Sequence, residues 1–375
     1  MDAPAQDKLS PQAQARGRSS AGAALLKGLG AAVAAAALWS ALRGADLDGV
    51  AALLASVGAP MMALGLLPNL VARGLQAEAS RRVFGALGRT ASFGRYLSLT
   101  LSTEALVLSV PAGPAVSESA TFYLLQRWCG VPGPQGVAGI AARRSLILLA
   151  NAAYVAIALA LGFGHLERAS RPLLGAPGLP WLLVLSGLGL LAASVAMSSA
   201  LLSGTVASRA LALLRRLPGR RAGAYFEAKA ASFSAMDTHA TALGKQRGAL
   251  ALSALLLLGM WLAEGLETLF LLRLLRVDVS LAEVLSFEVV LALLRAAAFM
   301  VPAGLGVQDA GYVAFLHALG VPGAATAGAA FVLLKRAKEI VWIALGLLVF
   351  FCSRALFRPL PGRGREPGRS PAHAR

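Results

Sequence analysis

Val301-Pro302-Ala303-Gly304-Leu305-Gly306-Val307-Gln308-Asp309 interrupts a long apolar region in the C-terminal third of the chain. Proline lacks the backbone N–H a helix needs, and glycine favours bent backbone, so this stretch breaks a helix. A carboxylate, Asp309, follows the break. Much earlier the chain reads Val110-Pro111-Ala112-Gly113-Pro114-Ala115-Val116-Ser117-Glu118. Both stretches begin Val-Pro-Ala-Gly and place an acid eight positions after the valine, and both are followed by Gly-Val-Pro, at 130–132 and 320–322. The chain therefore reads as an internal repeat, with elements near 96–163 and 281–351. The plainer reading is convergence within an Ala/Gly/Val/Pro-rich composition.

The surrounding composition decides the class. The chain is 57% hydrophobic and only 14% charged, with a mean hydropathy of +0.68. Soluble domains are about 45–50% apolar and about 25% charged, so the expected fold is an all-α integral membrane protein. The net charge of +17 carries no nucleic-acid motif and no interleaved aromatics. Its basic residues flank apolar runs, as the positive-inside rule requires. Cys129 and Cys352 form no CxxC pair, and the four histidines are scattered. Neither a metal nor another cofactor is expected, and no nucleophile–base pair supports an enzyme.

Spans are expected near 21–42, 49–72, 145–163, 181–205, 249–272 and 324–351, since about 20 apolar residues cross a bilayer. Polar tails at 1–20 and 353–375 bound a membrane domain at 21–352. Basic segments, among them 207–247 and one carrying Arg73, Arg81, Arg82, Arg89 and Arg95, place both termini in the cytoplasm. An amphipathic helix near 224–243 is expected on anionic lipid. The apolar pieces on either side of each break are short for a span, so each pair reads as a re-entrant hairpin broken at Pro111 and Gly113 or at Pro302, Gly304 and Gly306. A single kinked span is the alternative. Three full spans separate the hairpins, an odd number, which inverts the repeat. Inverted broken helices meeting at mid-membrane are a transporter architecture.

Charge within a span costs about 2.5–3.5 kcal/mol on insertion scales, so each charged group there needs a partner or a cavity. The candidates are Lys335, Arg336, Lys338 and Glu339 in the last span, Glu264 and Glu267 in the fifth, Glu104 and Arg295 six residues before each repeat valine, and Glu118 and Asp309 after the breaks. They read as a lipid head-group cavity with basic residues on phosphate. Ion pairs that merely pin helices are the plainer reading. For Glu118 and Asp309 there is also a local one, an acid completing the helix dipole. Asn151 and Gln126 read as interhelical hydrogen bonds, and Trp261 and Trp342 as interfacial or packing residues rather than a binding cage.

With these residues placed, the chain resembles the flippase-like family that includes the membrane half of lysylphosphatidylglycerol synthase. The resemblance spans about 21–351 and rests on the two breaks, on Val301 to Ala310, and on the basic segment before the fifth span. Gly304 to Asp309 and Leu334-Lys335-Arg336-Ala337-Lys338-Glu339 look most like a hopanoid-biosynthesis-associated branch. Where that family has glutamate after Gly-x-Gly-Val-x, this chain has Asp309. The resemblance implies lipid translocation or handling in a bacterial inner membrane, of hopanoid-type or anionic lipids. Membrane lipids and a lipid-biosynthesis enzyme are the expected partners, and no soluble aminoacyl-transferase domain is expected. A non-transporting scaffold for a lipid-modifying enzyme is the alternative.

Overall fold

The structure, a computed structural model, describes residues 43–89, 91–215, 227–298, 301 and 304–357, with Ala36 and Trp39. The expected span at 21–42, the tail at 1–20, most of the tail at 353–375 and Pro302 lie outside the described residues. All regular structure among the described residues is helical.

The span expected at 49–72 is instead three helices, α1 (Leu47–Ser56), α2 (Ala59–Leu64) and α3 (Leu67–Gly85). Gly58 and Gly65 interrupt the chain, and Pro60 and Pro68 each open a new helix, where the missing N–H is not needed. The chain turns by 79° between α1 and the segment that follows it.

The two breaks make helix hairpins. In the first, α4 (Phe93–Ser109) and α5 (Gly113–Cys129) are 17 residues each. That is about 25 Å, short of a hydrocarbon core of about 30 Å. Arg95, at the start of α4, donates a hydrogen bond to the carbonyl of Trp128, at the end of α5. The far ends therefore meet, which a kinked single span would not allow. Gly113 is required here: a Cβ would lie 2.3 Å from the carbonyl oxygen of Val107. In the second, α11 (Leu281–Ala297) and α12 (Val307–Ala318) fold back so that the Phe287 ring lies 4.9 Å from Tyr312 and 4.8 Å from Phe315. Gly304, the repeat partner of Gly113, serves a different need, a left-handed turn with φ of 62°.

Between the hairpins lie α6 (Gly133–Leu174), α7 (Leu179–Leu202) and α10 (Arg247–Leu274). Among the described residues these three are long and apolar enough to cross a membrane, or four segments if the bent α1–α3 unit is counted as one. Six were expected. The last expected span is present as α13 (Ala324–Leu356), 33 residues long, with Lys335, Arg336, Lys338 and Glu339 ahead of its apolar second half. α6 is far longer than the span expected at 145–163. It starts at Gly133-Pro134 and ends at Gly175, so much of the expected loop after His165 is helical. Pro172 is near enough to its C-terminus to end the helix rather than kink it.

α8 (Val206–Leu214) and α9 (Ala230–Gly244) are the helices of the basic segment, though of its lysines and arginines only Arg209 falls within either. α9 does not lie on lipid alone. It packs on α6, α7 and α8 and buries Asp237, Ala240 and Leu243.

The two halves exchange partners. α4 of the first hairpin packs on α13 of the second half, and α11 of the second packs on α6 of the first. Glycine permits both approaches. A Cβ on Gly346 of α13 would lie 2.4 Å from the Leu101 carbonyl oxygen of α4, and one on Gly162 of α6 would collide with Ser286 of α11. This reciprocal packing brings the two breaks together.

Candidate functional site

Where the breaks meet there is a cavity of about 410 Å³, lined from α3, α4, α5, α6, α10, α11, α12 and α13. Gly113 and Pro114 of the first break and Val301 and Gly304 of the second all reach it. Its walls hold Arg73, Arg144, Arg295, Lys335 and Lys338 opposite Glu104, Glu264, Glu267, Glu288 and Glu339. The lining is therefore balanced in formal charge. Apolar Val107, Leu108, Ile147, Leu148, Trp261 and Trp342 complete it.

Most of these charges are paired across helices. Arg73 of α3, only 7% exposed, pairs with Glu104 of α4 at 3.0 Å and with Glu264 of α10. Glu267 of α10 accepts from the Asn69 amide at 3.1 Å and pairs with Lys338 of α13. Glu288 of α11 gathers three donors and one further cation. Lys335 of α13 approaches it at 3.4 Å, the Tyr312 hydroxyl at 3.4 Å and Arg295 at 3.8 Å, and the Thr268 hydroxyl also donates to it. The Lys335 ammonium also sits over the Tyr312 ring, 4.4 Å from its centroid. Two of the cavity cations are held loosely: among the described residues Arg295, 39% exposed, has one ion pair, with that Glu288 oxygen at 3.8 Å, and Arg144, 46% exposed, has one with Glu118 at 3.6 Å.

Glu118, Asp309 and Arg336 stand beside the cavity rather than in its lining. Each acid ties its hairpin to the long helix that follows. Glu118 of α5 lies 3.4 Å from Arg143 and 3.6 Å from Arg144 of α6, and Asp309 of α12 lies 2.6 Å from Arg336 of α13. The bonded pairs Glu118–Arg143 and Asp309–Arg336 are 25 and 27 residues apart in sequence, so the repeat extends to its ion pairs. Asp309 also does what the local reading required: its second carboxylate oxygen accepts from the Gly306 amide at 2.9 Å and caps α12. Arg336 further pairs with Glu339.

Of the expected cavity residues, Glu104, Glu264, Glu267, Arg295, Lys335, Lys338 and Glu339 are brought together. Asn69, Arg73, Arg144, Glu288 and Gln308 join them unforeseen, and Asn151, Trp261 and Trp342, expected as hydrogen-bond glue or packing, line the cavity too. Arg73 is a correction, since it reads as part of a cytoplasmic basic run but is buried in the wall. Arg143, also buried, sits inside α6 rather than ahead of a span. The matching basic pairs 143–144 and 335–336 were the available signal for Arg143 and Arg144. Nothing in the sequence singles out Glu288, a lone acid in an apolar helix.

No curated protein matches the chain. The model of one family, described as the lysylphosphatidylglycerol synthase TM region, matches residues 28–346, which take in both hairpins, all three apolar spanning helices and the charged middle of α13. This all-helical membrane protein, with its paired charges around two broken helices, belongs to that lipid-linked family.

Proposed function

We propose that the protein translocates an amphiphilic lipid across a bacterial inner membrane, with the head group passing through the charged cavity. One observation carries this reading: both breaks of the repeat open onto a single cavity whose charges are otherwise too costly to hold among apolar spans. Three spanning helices between the hairpins support an inverted repeat, with α4–α5 re-entering from one face and α11–α12 from the other. Both termini are then cytoplasmic, in keeping with the basic residues of the 207–247 segment and of the tail.

The head group is anionic or zwitterionic. Because the lining is balanced, an incoming phosphate takes a donor from a carboxylate partner, and Arg295 and Arg144, each with one distant partner, yield at least cost. The resemblance of 334–339 extends the candidate cargo to hopanoid-type amphiphiles. No transferase chemistry is assigned to the membrane helices. Glu118–Arg143 and Asp309–Arg336 act as two gates, each releasing one hairpin from the helix behind it.

The test is movement of fluorescent phosphatidylglycerol in proteoliposomes, read by dithionite quenching. Wild-type protein is expected to expose inner-leaflet probe, and Arg295→Gln to slow this about tenfold, the scale of one charge-assisted hydrogen bond, at unchanged abundance. Quenching no faster than in empty vesicles, repeated with zwitterionic and hopanoid-type probes, would leave the scaffold reading in its place.

A further inference from the structure

A second cavity, of about 330 Å³, lies on the opposite side of α6 from the charged one. Arg144, Ile147, Leu148 and Asn151 of α6 face the first cavity, whereas Ala142, Ser145, Leu146 and Leu149 face the second. Its remaining walls come from α7, α9 and α10. The only charge in its lining is Arg247, the first residue of α10.

The interior of this slot offers a ligand almost nothing polar. The hydroxyls of Ser145 and Ser198 are hydrogen-bonded to each other, which leaves leucine and alanine surface along the walls. Arg247 is the opposite case: it is exposed, and among the described residues it forms no ion pair. It stands where a spanning helix begins, next to Leu202, where another ends. That is the level at which lipid phosphates lie, and basic residues there attract anionic head groups. From Arg247 to Ala254 the slot follows α10 for about 10 Å, so one end is charged and the other is hydrocarbon.

We propose that this slot is a binding site for one molecule of anionic phospholipid, with its phosphate on Arg247 and one acyl chain between α6, α7 and α10. A sterically similar apolar molecule would leave Arg247 unused, and a soluble anion would leave the apolar walls exposed. The bound chain packs against the back of the helix whose front carries Arg144. Occupancy therefore braces α6, the helix to which Glu118 ties the first hairpin. The inference rests on the membrane reading alone and not on transport through the first cavity.

The experiment uses the full chain in nanodiscs containing phosphatidylglycerol with a diazirine midway along one acyl chain. Photolabelled peptides from α6, α7 and α10 are expected. Arg247→Gln should lower labelling about tenfold, as loss of one charge-assisted contact would. Ala251→Phe, which fills the slot, should lower it comparably; labelling of α7, which lines the second cavity and not the first, is the readout that separates this site from the first cavity. The same diazirine on phosphatidylcholine should label weakly and be indifferent to Arg247→Gln. Equal labelling by both lipids, untouched by Arg247→Gln, would overturn the proposal and mark the slot as ordinary lipid-facing surface. Because Arg247 is exposed, its substitution tests the site even if Ala251→Phe fails to fold. A dead transport assay with intact, Arg247-dependent labelling would remove the transport reading and leave this site standing.

Discussion

Glu118 and Asp309 hold equivalent places in the repeat but differ in environment. Asp309 is 3% exposed and bonded to Arg336 and to the Gly306 amide, while Glu118 is 27% exposed and its arginines are more than 3 Å away. Removing one partner of a buried pair leaves an uncompensated charge, at about 3–5 kcal/mol, whereas a solvated pair is worth about 1 kcal/mol or less. Asp309→Asn is therefore expected to destabilise the protein severely in detergent unfolding, and Glu118→Gln to do so by less, since Glu118 is partly solvated although its loss leaves the buried Arg143 without its closest carboxylate. Equal losses would show that the two ion pairs are alike in energy despite their geometry. Asp237 offers a test by pH. It accepts from the Ala207 and Ser208 amides at 2.8 and 2.9 Å and from the Ser208 hydroxyl at 2.6 Å, capping α8 from a neighbouring helix. Burial pushes its carboxyl up, but the hydrogen bonds from the Ser208 hydroxyl and from the amides of Ala207, Ser208 and Val206 outweigh that and lower it. A folded value below the unfolded one of about 3.9 means the stabilisation is full above that pH and lost as pH falls through the folded value. Hydrogen exchange in α8 should accelerate in that acidic window, and in Asp237→Ala it should be fast at every pH.

At the scale of elements, the hairpins depend on glycine for two different reasons. Gly304 needs a left-handed conformation, which costs an L-residue about 1–2 kcal/mol. Gly113 needs space, because its Cβ would overlap the Val107 carbonyl. Gly304→Ala is thus expected to keep the hairpin with a modest loss in thermal stability. Gly113→Ala must open the α4–α5 turn, and it should expose Cys129, now buried, to thiol reagents in detergent. Protection of Cys129 in that variant would mean the turn yields elsewhere. The charged centre of α13 obeys the same logic in reverse. Its residues read as misplaced in a span until Glu267, Glu288 and Asp309 are seen to meet them.

Over the whole molecule, the exchange of partners between halves sets both breaks at one cavity, and an inverted repeat requires them to open to opposite faces. With Cys129 and Cys352 replaced by serine, single cysteines at Ala115 and Leu305, both exposed, should react with impermeant reagent from opposite sides of the membrane. Reaction from the same side would remove the inversion while leaving the cavity intact. The membrane class, the two helix breaks and seven of the cavity charges were legible in the sequence because charge and helix breaks are conspicuous against an apolar background. Arg73 reads as part of a basic run because of its sequence neighbours, and 49–72 reads as one straight span because apolarity alone does not show where glycine and proline turn the chain.

Composition and local chemistry by themselves determined an all-helical membrane protein, broken at 110–113 and 301–304, with ionisable groups that needed a reason to be buried. These follow from hydration energies and backbone sterics, which act within a few residues. The tertiary structure alone decided which charges pair. Arg73 with Glu264, Asn69 with Glu267 and Glu288 with Lys335 join residues 191, 198 and 47 positions apart. Such partners are chosen by helix packing, in which close approaches at Gly162 and Gly346 fix which faces meet, and no short-range signal in the chain encodes that choice.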